Sequence, residues 1–140
     1  MKVANYQFDE LLEQISSCAT QDDLNYALKH LADTNMYVKF WLNVSVSDVF
    51  LDFDIDSVNY KFSDYHRSMS GQFMLSKTPM LVYEQVFCNP AVAQKTKKFQ
   101  FKAIAEMLYS GEAKVYIACL NKNLAELYPR ITHEVICAAL

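Results

Sequence analysis

Near the start of the chain, two short stretches repeat apolar residues with the period of a helix. Phe8, Leu11, Leu12 and Ile15 fall at i, i+3, i+4 and i+7, which predicts a first helix over about residues 6 to 18 with one buried stripe. Leu24, Ala27, Leu28 and Leu31 repeat the spacing. Ahead of them Thr20 precedes Asp23 by three positions, a capping box with Asp in place of Glu or Gln, so a second helix starts there and the pair predicts a helical hairpin.

The period then changes to two. Val38, Phe40, Leu42, Val44 and Val46 alternate with Tyr37, Lys39, Trp41, Asn43 and Ser45, which predicts a strand with a half-polar second face. Val49, Leu51, Phe53 and Ile55 alternate with Phe50, Asp52, Asp54 and Asp56, and Val58, Tyr60 and Phe62 follow in the same rhythm. A hairpin turning at Asp56-Ser57 places Asp52 opposite Lys61 and leaves one face wholly apolar; one long bent strand is the alternative. "SDYHRSMSGQ" reads as a polar loop, and "FMLS" and "MLVYEQVF" as two further strands. Asn89 as N-cap, Pro90 at the first helical position and Gly111 at the far end predict a long helix of about 21 residues. "KVYIACL" is apolar on both alternating faces and reads as a central strand, with a last helix near Pro129.

These elements predict one α+β domain over residues 1–140. It consists of two N-terminal helices, a mainly antiparallel four- to five-stranded sheet, a long helix, a central strand and a C-terminal helix. Composition supports order: 52% of the residues are hydrophobic and only two are glycine, too few to build a phosphate-cradling glycine loop. A net charge of -3 gives no general attraction to nucleic acid or anionic membranes, so contact with either is not expected. No apolar run approaches the roughly 20 residues that span a bilayer, and the four cysteines form no C-x-x-C pair, which predicts a cytoplasmic protein with reduced thiols.

"QKTKKFQFK", residues 94 to 102, interleaves lysine and phenylalanine as nucleic-acid binders do. Rotating 100° per residue places Lys95, Lys98 and Lys102 on one face and Phe101, Ile104, Ala105 and Leu108 on the buried one, with Glu106 four residues from Lys102. The lysines then read as a solvated face, and Phe99 alone projects apolar surface toward them.

Asp52, Asp54 and Glu84 could hold Mg²⁺ for phosphodiester cleavage. With the helix, three-strand, helix, strand order, they resemble the core of restriction-endonuclease-like nucleases, which implies an acidic residue followed by Glu-x-Lys; here Val86 stands where that lysine belongs. The two-helix-then-strand opening resembles ligand-sensing domains of the GAF and acyl-homoserine-lactone-binding kinds, which implies a small-molecule sensor. "THEVIC" sets His133 and Cys137 one helical turn apart beside Glu134, a partial version of the metalloprotease H-E-x-x-H, but two ligands do not make a zinc site. His66 with Cys88 is the available Cys-His pair, without a local signature for catalysis.

Aromatic residues outside the apolar rows are the stronger signal, since Tyr, Trp and Phe beside charges compose interfaces and ligand pockets. The reading is a non-catalytic intracellular regulatory or inhibitory module that contacts a protein partner or a second copy of itself as a homodimer. It is expected to use Tyr37, Trp41, Phe50 and Phe99 together with Tyr65, His66 and Arg67 in the polar loop, and to need no cofactor or metal. A small-molecule ligand and a Mg²⁺-dependent nuclease are the alternatives.

Overall fold

The structure is a computed structural model and describes residues 7–62 and 75–140. It begins as the hydrophobic pattern requires. Helix α1 (Phe8–Ser16) buries Phe8, Leu11, Leu12 and Ile15, and α2 (Gln21–Thr34) buries Leu24, Leu28, Leu31 and Ala32. The Thr20 hydroxyl oxygen accepts from the Asp23 N–H at 3.1 Å and closes one of the orphan donors at the start of α2.

The predicted sheet is absent. Among the described residues every regular element is helical, so the α+β assignment is corrected to an all-helical fold. The stretch expected as the first strand forms helix α3 (Met36–Val46), because Val38, Trp41, Leu42 and Ser45 also fall at i, i+3, i+4 and i+7 and are buried, together with Val44. Asn35 decides between the two periods: its side-chain oxygen accepts from the N–H groups of Tyr37 and Val38 at 3.0 and 3.2 Å, an N-cap that a strand has no use for. "KVYIACL" lies in helix α6 (Ser110–Asn121), which buries residues all round its axis. A run apolar on every side suits a central helix as well as a central strand.

Residues 49–62 form neither a hairpin nor a strand. They run as an irregular strap over the core with one 3₁₀ turn at Ile55–Ser57, capped by Asp54, whose carboxylate accepts from the Asp56 N–H at 3.0 Å. Alternation survives in the burial of Phe53 and Ile55, but the backbone partners come from helix α5 (Gln94–Met107). Gln94 donates to the Asp52 carbonyl at 2.6 Å, and the Glu106 carboxylate accepts from the Lys61 N–H at 3.0 Å. Lys97 binds the Asp52 side chain at 2.8 Å, so the expected Asp52–Lys61 pairing is replaced. The stretch expected as a strand at "MLVYEQV" is helix α4 (Lys77–Val82), continued by a single π turn at Tyr83–Phe87.

The long helix predicted between Asn89 and Gly111 is shorter and starts later. Asn89 closes a tight turn instead, accepting from the Ala91 N–H at 2.9 Å, and Gly111 falls inside the first turn of α6. The chain breaks at Leu108 and Tyr109, which are extended, so that the fully buried Leu108 stays in the core while α6 turns back on α5. Short helices α7 (Leu124–Leu127) and α8 (His133–Ala139) finish the chain, the second capped by Thr132.

Helix α6 is the centre of the packing, against α3, α5, α1 and α7, while α2 packs on α8, α3 and α1. Around it runs a chain of rings: Trp41 meets Tyr116 and Tyr83 edge-on, Tyr116 stacks on Phe101, and Phe101 meets Phe53 and Tyr60. Edge-to-face pairs of this kind add roughly 0.5–1.5 kcal/mol each beyond the area they bury. Charged side chains close helix ends from a distance. Glu112, fully buried in the first turn of α6, accepts from the Phe8 N–H at 3.1 Å, so its carboxylate lies at the positive ends of two helices. Arg130 donates to the Ser16 carbonyl at 2.8 Å and also to that of Cys18, capping the carboxyl end of α1.

Candidate functional site

The strap, the end of the π turn and α5 meet on one side of the molecule. A groove of about 280 Å³ opens there, lined by Val49, Phe50, Asp52, Phe87, Cys88, Pro90 and Lys97. The π turn shapes one wall. Cys88 donates its N–H to the Tyr83 carbonyl five residues back, at 3.0 Å, which widens the helix by one residue just where Phe87 and Cys88 enter the wall.

Phe50 is the most exposed large apolar residue in the groove, with 75% of its surface open to water. It is nonetheless held, because the Lys122 ammonium lies 5.3 Å from its ring centre in a cation–π contact. That ammonium also donates to the Val44 carbonyl at 2.7 Å and to the Ser47 hydroxyl at 3.0 Å. Lys122 therefore closes the end of α3 with its side chain while its own backbone, left-handed at φ 59, closes α6. Burial pushes the Lys122 ammonium below its ordinary range, partly offset by Cys119, Asp48 and Cys88.

Behind the groove Tyr83 lies near the side chains of Cys88 and Ser47. Burial first, and Cys88 second, push its pKa up to about 12, so at neutral pH it is a proton-bearing phenol and not a base for Cys88. At the floor the Lys97 ammonium, only 1% exposed, pairs with the half-exposed Asp52 carboxylate. This arrangement holds an apolar anchor in a polar frame.

The expected binding residues are dispersed. Phe50 is in the groove. Phe99 is 68% exposed on the outer side of α5, while Phe101, two positions on, is fully buried in the core. Tyr37 is half-buried on α3, and Trp41 is fully buried against Phe40, Tyr83 and Tyr116. Tyr65, His66 and Arg67 lie outside the described residues, as does the His66–Cys88 pairing that depends on them.

Two of the three carboxylates weighed for Mg²⁺ serve structure. Asp52 pairs with Lys97, Asp54 caps the 3₁₀ turn, and Glu84 is exposed on the π turn. Among the described residues no group of three His, Cys, Asp or Glu side chains stands close enough to hold a metal ion, and that includes His133, Glu134 and Cys137 on α8. With no strand among the described residues to carry them, both resemblances drawn from element order lose their basis. Sequence reasoning passed over Lys97 and Lys122. Lys97 was one of four lysines in a basic cluster, and Lys122 carried no local signal, since the residues that readily take a left-handed backbone are its neighbours Asn121 and Asn123.

No protein-family model, curated protein or solved structure matches the chain. No helix among the described residues is long and apolar enough to cross a membrane.

Proposed function

We propose that the chain is a non-catalytic, cytoplasmic regulatory or inhibitory module that binds a partner protein through the Val49–Phe50 groove. The observation that carries this reading is Phe50: a phenylalanine three-quarters exposed, fixed in place by Lys122, at the mouth of a groove walled by Phe87, Cys88 and Pro90. An exposed aromatic anchor that is already ordered loses little freedom on binding, which is what makes such residues dominate interface energies.

The size of the groove supports a protein side chain as its occupant. At about 280 Å³ it lies just below the range that encloses a small-molecule ligand, and it is open along its length. All four cysteines are free thiols, which suits a reducing compartment.

The test is photo-cross-linking in cells with the reactive group placed at Val49, with the exposed Glu13 of α1 as the control position. A protein captured from position 49, absent from position 13 and lost when Phe50→Ser is added supports the proposal. Equal capture from both positions, or capture unaffected by Phe50→Ser, overturns it. A small molecule retained through native mass spectrometry and displaced by Phe50→Ser would move the reading to a ligand sensor.

A further inference from the structure

Two helices present faces of opposite charge, each built around one exposed aromatic ring. On α5 the ring is Phe99, with Lys95 and Lys102 within about 60° of it around the helix axis and Lys98 about 100° away. The first turn of α5 contains no acidic residue and no side-chain cap, so the positive end of the helix adds to the lysines. Glu106, about 20° from Phe99 around the axis, accepts from the Lys61 N–H and offsets one of the three lysines, which leaves the face net positive.

On α2 the ring is Tyr26, 74% exposed, with Asp22, Asp23 and Asp33 within about 60° of it. His30 stacks on Tyr26 at 6.3 Å, and Lys29, the single lysine of α2, is itself paired with Asp33. These helices belong to different parts of the packing: α5 lies on α6, whereas α2 lies on α1, α3 and α8. Neither face can satisfy the other within one molecule.

We infer that copies of this chain associate head to tail, the Phe99 face of α5 in one copy docking on the Tyr26 face of α2 in the next. Charge complementarity selects this occupant. An acidic aromatic surface complements the lysine face in charge and in apolar contact, and every copy carries one. Because the two faces differ, the contact is heterologous and each dimer keeps one free face of each kind, so assembly continues into short oligomers instead of stopping at two. One helix laid on another buries less than a standard interface, which makes the association weak and sensitive to salt. The contact uses no residue of the groove and stands independently of the function proposed for it.

The test is sedimentation velocity of the full chain over a concentration series at about 50 mM and about 500 mM salt, where screening lengths differ about threefold. The wild type is expected to associate with rising concentration at low salt and to be monomeric at high salt. Two double variants each remove one face: Phe99→Ser with Lys102→Ser, and Tyr26→Ser with Asp22→Ser. All four side chains are exposed, so folding should survive, with circular dichroism as the check.

Each variant alone should associate at least about ten-fold more weakly than the wild type. The 1:1 mixture should form dimers and nothing larger, since each variant supplies the face that the other lacks. A monomeric wild type, a monomeric mixture, or a single variant that associates like the wild type overturns the inference. Association lost with Phe50→Ser, and not with the helix-face variants, assigns self-contact to the groove and also overturns it. A monomeric wild type whose α5 face binds a poly-glutamate peptide would transfer the lysine face to a foreign acidic partner.

Discussion

Lys97 and Asp52 form an ion pair with only one member out of the water: the ammonium is buried, the carboxylate is about half exposed, and 2.8 Å separates them. Such a pair is asymmetric. Asp52→Ala leaves a buried cation without its counter-charge and should cost about 2–4 kcal/mol. Lys97→Met keeps most of the buried stem and removes the charge, and should cost less than about 1 kcal/mol. Urea denaturation of both variants measures the difference; a Lys97→Met loss as large as that of Asp52→Ala would refute the asymmetry.

At Lys122, backbone and side chain make separable demands. Alanine there loses both hydrogen bonds to the end of α3 and keeps the left-handed strain, for an expected loss of about 1–3 kcal/mol. Glycine loses the same bonds but relieves the strain, so Lys122→Gly should be more stable than Lys122→Ala by about 0.5–1 kcal/mol. The opposite order in thermal unfolding would mean that the backbone at this position carries no strain.

Burial pushes the Cys119 thiol from 9.0 up to about 12, against a smaller downward pull from Lys122. Tyr83 is raised to about 12, and burial also raises Tyr116. These acids keep their protons longer when folded than when unfolded. Their contribution is therefore complete below pH 9 and falls as pH rises toward 12, at on the order of 1 kcal/mol per pH unit for each proton. Lys122, held below its ordinary range, works with the opposite sign as pH rises toward 10.5. Replacing Cys119 with alanine should flatten the stability curve between about pH 9 and 10, before the tyrosines contribute. Denaturation midpoints across that range would show an unchanged slope if the thiol were not responsible.

Thiol reactivity should divide the cysteines by exposure. Cys88 and Cys137 are exposed, Cys18 is half-buried and Cys119 is buried. An aromatic disulfide reagent should modify two thiols fast, Cys18 slowly and Cys119 only on unfolding, since access gates the reaction. Cys88→Ser and Cys137→Ser should each remove one fast equivalent. A fast phase that survives both substitutions contradicts the burial pattern.

Some of this was legible in the sequence because periodicity and capping agree locally. Thr20 capped the helix it announced, and Phe101 and Phe99 took the buried and exposed sides that 100° per residue assigns to them. The sheet failed for a physical reason: residues 38–46 satisfy periods of two and of 3.6 at once, and the β-branched valines favoured the wrong one. Asn35 held the deciding signal, one position before α3 begins. Neither Lys97 nor Lys122 could be read in advance, because their partners Asp52 and Val44 are 45 and 78 residues away and local pattern does not report such pairings.

The π turn at Tyr83–Phe87 gives the groove an unusual genetic sensitivity. A helix that closes on its fifth residue carries one amino acid more than its neighbours need. Deleting one codon from that turn would restore ordinary winding, leave the flanking segments in register and remove the local widening that sets Phe87 and Cys88 in the wall. Substitutions would erode the groove piece by piece, whereas a frame-preserving loss of three nucleotides would abolish it in one step and leave composition and charge almost unaltered.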